Sequence, residues 1–261
     1  EYYKEIFTHL HDMGLTDPCS PEEGWTRVLV EKPFGRDFKT AKELERVLSR
    51  LFKEEQIYRI DHYLGKDMLQ NILAFRFSNS FLAPTWDKNS IESITVRLWE
   101  KKGVGKRGKF YEAVGALRDV GQNHMLQLLA LFTMDNPVSF DAASVREQRT
   151  RILRSLGALK ASDMERMTIR AQYKGYQQEK NVDRETEIET YFHIQTSLNL
   201  PEWKGVPIYL ESGKAMKEDR VEVVVAFRHR EPCLCPDKNK HYSNTLRYRI
   251  QPQEGIHISF W

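Results

Sequence analysis

The chain has 261 residues, enough for one large domain or two small ones. Its 40 Lys and Arg nearly balance 37 Asp and Glu, and a net charge of +3 gives no concentrated basic face of the kind nucleic-acid binding needs. Hydrophobic residues at 40% can build a core, charged residues at 30% a solvated surface, and no apolar run approaches the ~18 residues of a membrane-spanning helix.

The chain opens at Glu1 inside a helical pattern, in which Tyr2, Ile6, Leu10 and Met13 recur until Gly14 stops it. TDPCSPEEG reads as a turn-rich linker. WTRVLVEKPFG reads as a short strand, Val28 to Val30, ending in a Pro-Phe-Gly turn. Thr40 and Glu43 have capping-box spacing, and a helix continues through Leu44, Val47, Leu48 and Leu51. Helix, buried strand and helix together match the last part of a doubly wound α/β unit. Beyond residue 59 the pattern changes. MLQNILAFRF (68–77) predicts a helix, IESITVRLW (91–99) a strand, and NHMLQLLALFTM (123–134) a strongly apolar helix. TYFHIQTSL, VPIYLES, VEVVVAFRHR, TLRYRIQP and GIHISF then read as successive strands. Strands without intervening helices favour antiparallel pairing. The expected fold is therefore an α/β remnant of a doubly wound dinucleotide-binding domain (1–58) followed by an α+β domain with a large, mainly antiparallel sheet (59–261). The final HISFW has the pattern of a strand interior, so both ends read as cut.

Several segments could carry chemistry. RIDHYLGKD (59–67) gathers Asp61, His62, Tyr63 and Lys66, with Gly65 before the lysine. If the segment is helical, His62 and Lys66 face one way and suit a phosphate, which takes several donors and positive charge; a solvated helix end is the plainer account. His124 sits at the start of the apolar helix, five residues after Asp119. An imidazole can take a proton from a hydroxyl, and a buried carboxylate can fix its tautomer. Asp61 and Asp119 are both candidates for that carboxylate, and spacing does not choose between them. Lys32 in EKPFG and Lys214 in ESGKAM each follow a predicted strand, where α/β sheets commonly meet ligands, although an exposed lysine is the ordinary reading. Gly103-Val104-Gly105-Lys106-Arg107-Gly108 fits G-x-G-x-x-G, but its cations and the absence of a suitably placed acidic residue make it a solvated loop before a helix. Cys19, Cys233 and Cys235 include a C-x-C pair without a second pair at zinc-finger spacing. They read as free thiols, and with no signal peptide the chain reads as cytoplasmic.

EKPFGRD (31–37), RIDHYLGK (59–66), RDVGQNHMLQ (118–127), GVPIYLESGKAM (205–216) and RIQPQE (249–254) together resemble glucose-6-phosphate dehydrogenase, in order and spacing, across nearly the whole chain. That resemblance implies oxidation of C1 of glucose 6-phosphate to the lactone, with hydride passing to NADP, the first step of the pentose phosphate pathway. It implies His124 as the base and Asp61 as the group that orients it. His62, Tyr63 and Lys66 would hold the phosphate. Lys32, Glu100, Asp119 and Lys214 would position the sugar, with Lys32 also near the nicotinamide. It further implies a homo-oligomer through the large sheet in the complete protein; the charge balance and the lack of a spanning apolar run leave neither nucleic acid nor membrane as an expected partner. The sequence departs from the family in three ways: no G-x-x-G-D-L-A-type loop is present, the segment after the Q-P-x-E block is largely absent, and Asp219, between Lys217-Glu218 and Arg220, stands where a second cation is common. A non-redox sugar-phosphate-binding module, or an inactive truncated relative, is the alternative.

Overall fold

Alternation along Ile91–Trp99 puts Ile94, Val96 and Leu98 on one side of a strand, and burial of that side organises the larger part of the protein. The structure, a computed structural model, describes residues 3–16, 24–35, 37–61, 63, 67–229 and 243–261. His62, Lys66 and the three cysteines lie outside the described residues. The chain divides into two compact units, Glu1–His62 and Tyr63–Trp261.

In the first unit, α1 (Tyr3–Asp12) is followed by β1 (Val28–Glu31), α2 (Phe38–Leu51) and β2 (Ile57–Ile60). β1 and β2 pair in parallel from Val28↔Ile57 to Glu31↔Ile60, and α2 supplies the crossover that parallel strands require. Phe7, Val30, Leu48, Leu51, Phe52 and Ile57 form its core, with Phe7 stacked on Tyr3 at 5.6 Å and edge-on to Phe52 at 5.5 Å. Two expectations are corrected here. The capping box of α2 joins Asp37 and Thr40, not Thr40 and Glu43: the Asp37 carboxylate accepts the Thr40 N–H at 2.8 Å, and the Thr40 hydroxyl accepts the Asp37 N–H at 3.1 Å. Thr40 already lies inside the helix, so its own hydroxyl serves as the return partner. Arg59 and Ile60, read above as part of a possible helix, belong to β2, because pairing with β1 outweighs local helical preference.

The second unit contains α3 (Asp67–Ser78), β3 (Ile91–Trp99), α4 (Gly108–Ala116), a π-helix (Leu117–Met125), α5 (Leu126–Thr133), α6 (Ala142–Arg154) and α7 (Ala161–Met167). Six strands follow: β4 (Thr168–Ala171), β5 (Tyr191–Thr196), β6 (Ile208–Gly213), β7 (Arg220–Phe227), β8 (Thr245–Gln251) and β9 (Gly255–Ser259). The seven-stranded sheet has the order β4-β5-β6-β3-β7-β8-β9, and every neighbouring pair is antiparallel except β3 with β6. The expected architecture is present, an α/β piece and an α+β domain with a mainly antiparallel sheet.

Register explains the core. Ile94, Val96 and Leu98 stand between Ile208 and Leu210 of β6 and Val225, Val223 and Val221 of β7, all buried against the helices. α5 is apolar nearly all round and correspondingly buried. The guanidinium of buried Arg76 donates to the carbonyls of Leu131 at 2.7 Å and Met134 at 2.9 Å, which satisfies acceptors that the end of α5 leaves open. On the other face of the sheet Arg97 bridges Glu211 at 2.9 Å and fully buried Glu222 at 2.5 Å. The segment read as a solvated loop at 103–108 is partly packed: Val104 is buried and Gly108 starts α4. A Cβ on Gly108 would lie 2.3 Å from the Lys180 carbonyl oxygen, so this glycine serves chain packing. No helix among the described residues is long and apolar enough to cross a membrane. Phe132 is fully buried edge-on to Tyr248 at 4.6 Å. Phe132→Ala is expected to lower the unfolding free energy of the second unit by about 3–5 kcal/mol, read from the shift of a urea transition.

Candidate active site

Because β3 and β6 run in parallel with Trp99 opposite Gly213, the next residue of each strand, Glu100 and Lys214, emerges at the same edge of the sheet. Backbone bonds fix both residues there. The Glu100 N–H donates to the Gly213 carbonyl at 3.0 Å, the Lys214 N–H to Thr190 at 2.9 Å, and the Met216 N–H back to Glu100 at 3.0 Å. Ala215 takes a left-handed conformation, φ 54°, a cost of order 1–3 kcal/mol that its surroundings must offset. The Ala215 N–H donates to Lys102 at 3.1 Å. This turn aims the Lys214 side chain inward, where it is only 4% exposed. Its ammonium donates to the Glu100 carboxylate and lies 3.9 Å from the Asp119 carboxylate and 5.6 Å from the centre of the Tyr111 ring.

Asp119 and His124 both belong to the π-helix. An i→i+5 helix places residues five apart about one turn from each other, and such helices concentrate at functional sites. Both residues are buried, His124 to 1% exposure. Asn123 braces this turn, accepting the His124 N–H on its side-chain oxygen at 2.5 Å and donating to the Asp119 carbonyl at 2.9 Å. The Tyr63 and His124 rings lie 4.4 Å apart, tilted by 36°. The second unit therefore gathers Glu100, Asp119 and Lys214 into one polar cluster, and Tyr63 with His124 into one ring pair.

Lys32 and Asp61 belong to the first unit and directly follow the register partners Glu31 and Ile60 of parallel β1 and β2. Both therefore stand at carboxyl strand ends, where open α/β sheets take ligands. Lys32 precedes a cis Pro33.

Sequence reading missed three contributors. Tyr111 is fully buried, and its hydroxyl has no hydrogen-bond partner among the described residues. Burial first, then the Asp119, Glu100 and Glu189 carboxylates, push that hydroxyl above the ordinary phenol range and keep it a donor. Glu189 lies in the charged segment DRETEIET, and Thr190 opens the strand pattern TYFHIQTSL. Among the described residues no group of three or more His, Cys, Asp or Glu is placed to hold a metal ion.

A parallel β-α-β piece with polar groups at its strand ends, joined in sequence to a large sheet domain carrying a buried lysine-carboxylate cluster and a π-helical histidine, defines the class of nucleotide-binding proteins with a separate substrate-type domain. Residues 1–71 match the family description "Glucose-6-phosphate dehydrogenase, NAD binding domain", and residues 73–261 match "Glucose-6-phosphate dehydrogenase, C-terminal domain". The chain belongs to the glucose-6-phosphate dehydrogenase family. A glucose-6-phosphate 1-dehydrogenase of Chlamydia muridarum is 36% identical over all of this chain and 54% of its own length. One from Saccharomyces cerevisiae is 36% identical over 92% of this chain and 48% of its own. The crystal structure of the Mycobacterium avium enzyme superposes with a TM-score of 0.88 at 35% identity, covering 98% of this chain and 56% of that one. A glucose-6-phosphate dehydrogenase in complex with its substrate glucose-6-phosphate gives 0.87 at 36% identity, covering 98% and 52%. The chain thus spans about half the length of the relatives it matches.

Glu100→Gln is expected to cost about 1–3 kcal/mol of unfolding free energy, because it leaves the buried ammonium short of a charged acceptor. Combined with Lys214→Met, it should cost less than the two single changes added together, by about 0.5–3 kcal/mol, in a urea double-mutant cycle.

Proposed function

We propose that this protein acts as a glucose-6-phosphate dehydrogenase, oxidising C1 of glucose 6-phosphate to 6-phosphogluconolactone with hydride transfer to NADP. The observation that carries this reading is the cluster of buried Lys214 and Asp119 with partly exposed Glu100, built on a turn beside the π-helix that holds His124. Family membership supplies the substrate class, and a relative with glucose-6-phosphate bound supports it.

Each residue then has a role. His124 takes the C1 hydroxyl proton as the C1–H bond breaks, so the carbon–oxygen bond becomes a carbonyl as hydride leaves. Asp61 orients that imidazole and stabilises its cation. His62, Tyr63 and Lys66 hold the phosphate, and this remote binding orients the reacting carbon. Glu100, Asp119 and Lys214 position the sugar hydroxyls: a lysine donates, carboxylates accept, and Lys214 held between two carboxylates presents both functions on one wall. Lys32, at the carboxyl end of β1, fits the edge where an α/β sheet takes a dinucleotide, and serves both the sugar and the nicotinamide end. NADP supplies the hydride acceptor. Association of copies through the large sheet and a cytoplasmic setting belong to the same reading, as does a chain with no nucleic-acid or membrane partner; the near balance of basic and acidic residues supports the absence of a nucleic-acid partner.

Two measurements test the assignment. Calorimetric titration of the purified protein with glucose 6-phosphate should show binding that His62→Ala/Lys66→Ala removes. His124→Asn should lower kcat for NADPH formation by about 10²–10⁴-fold while leaving glucose 6-phosphate affinity within about threefold. Binding without any turnover in the wild-type protein would favour a non-redox sugar-phosphate-binding module, and no binding at all would reject both.

A further inference from the structure

The π-helix that carries Asp119 and His124 begins at an abrupt break. Gly115 has φ 68° and ψ 176°, which ends α4 and leaves the first N–H groups of the next helix without partners in their own chain segment. Both are taken by one residue far along the chain. The Ala116 N–H donates to the Glu189 carbonyl at 3.0 Å, and the Leu117 N–H donates to the Glu189 carboxylate at 2.9 Å. That carboxylate fills the space left by the missing side chain of Gly115: a Cβ there would lie 2.5 Å from Oε1 and 2.9 Å from both Cδ and Oε2. Glu189 is 8% exposed, and its nearest cation, Arg170, is 3.7 Å away on the surface side. A negative group at this helix end is further favoured by the helix dipole. The next residue, Thr190, accepts the Lys214 N–H on its carbonyl at 2.9 Å. Two consecutive residues immediately before β5 therefore hold the two halves of the polar cluster, the π-helix through the Glu189 side chain and Lys214 through the Thr190 backbone.

We propose that Glu189 is a positioning residue that sets the placement of the π-helix, and through it His124, by a charge-assisted bond to the Leu117 N–H. The inference rests on His124 being the base of the reaction proposed above. Its physical content is an anchor: without the carboxylate, the Leu117 N–H is left unpaired and the turn at Gly115 loses the group that fills it. Displacement of a catalytic group by about 1 Å costs on the order of 10²-fold in rate. Lys214 is held by a backbone carbonyl that substitution of Glu189 leaves in place, so the loss should fall mainly on kcat.

The test compares Glu189→Ala, Glu189→Gln and Gly115→Ala in the purified protein, at a temperature where melting curves show each variant folded. Glu189→Ala is expected to lower kcat about 10–100-fold with KM for glucose 6-phosphate within about threefold. Glu189→Gln, which keeps an acceptor oxygen, should retain most of the activity, and Gly115→Ala, which pushes the carboxylate away, should reproduce the loss. Hydrogen exchange of the peptide covering Leu117–Met125 should accelerate in Glu189→Ala while peptides from β3 and β6 stay unchanged. Unchanged exchange in that peptide, wild-type kcat in Glu189→Ala, or a glutamine variant no better than alanine would each overturn the inference. The exchange measurement needs no substrate, so it decides the anchoring role even if the protein oxidises no sugar phosphate, a result that would sink the reaction assignment alone.

Discussion

Parallel pairing of β3 with β6 makes the chain leave the sheet twice at one edge, once at Glu100 and once at Lys214, although the two residues are 114 positions apart in sequence. Antiparallel pairing would have sent one of them to the opposite end of the strands, beyond reach of the other. The bonds that follow, Glu100 to Gly213, Met216 to Glu100 and Ala215 to Lys102, extend the contact past the last ladder residues and shape the turn that directs the lysine inward. The first unit repeats the device on a smaller scale, since Lys32 and Asp61 are also successors of parallel register partners. In both units, residues with no local relationship in sequence become neighbours through strand direction and register.

The cluster so formed is a balance of costs. A buried ammonium is expensive unless carboxylates and hydrogen bonds replace its water, and Lys214 has Glu100 in contact and Asp119 at 3.9 Å. Two carboxylates beside one ammonium leave a net negative charge, and the protonated Tyr111 hydroxyl faces the same group of charges. Such a wall can donate and accept hydrogen bonds together. The π-helix carries both Asp119 of this cluster and His124. It packs across β3 and β6, so the histidine is referenced to the same two strands that carry the lysine and the glutamate.

Much of this fold is readable from local pattern. β3 is a nine-residue strand with a buried, alternating face, and its limits follow from Ile91, Ile94, Val96 and Leu98 alone. β5 to β9 are equally plain, because each has alternating apolar residues and turn residues at its ends. β2 was hidden because it has four residues, two of them the exposed Tyr58 and Arg59, and only its partner β1 makes it a strand. The π-helix was hidden because RDVGQNHM shows no period that distinguishes five-residue from four-residue bonding; what selects it is the break at Gly115. Glu189 lies in the charged segment DRETEIET, where nothing local marks it as buried, and its carboxylate bonds to the Leu117 N–H, 72 residues away. The candidate site residues were legible as motifs; the groups that hold them in place were not, since anchoring depends on distant partners that no local spacing reveals.

The position of β3 in the sheet also bears on synthesis. It lies between β6 and β7, and both of those strands are made later than every described helix of the second unit. A growing chain must extend from Trp99 to Ile208 before either edge of β3 can be covered, which at ribosomal rates takes on the order of ten seconds. During that interval β3, with its apolar residues Ile91, Ile94, Val96 and Leu98, has two open edges, and open strand edges are prone to pairing with the wrong chain. The charged residues Glu92 and Arg97 interrupt it and act as gatekeepers. Arg97 thus has two successive duties, keeping the nascent strand soluble and then joining the buried network with Glu211 and Glu222 once its neighbours arrive.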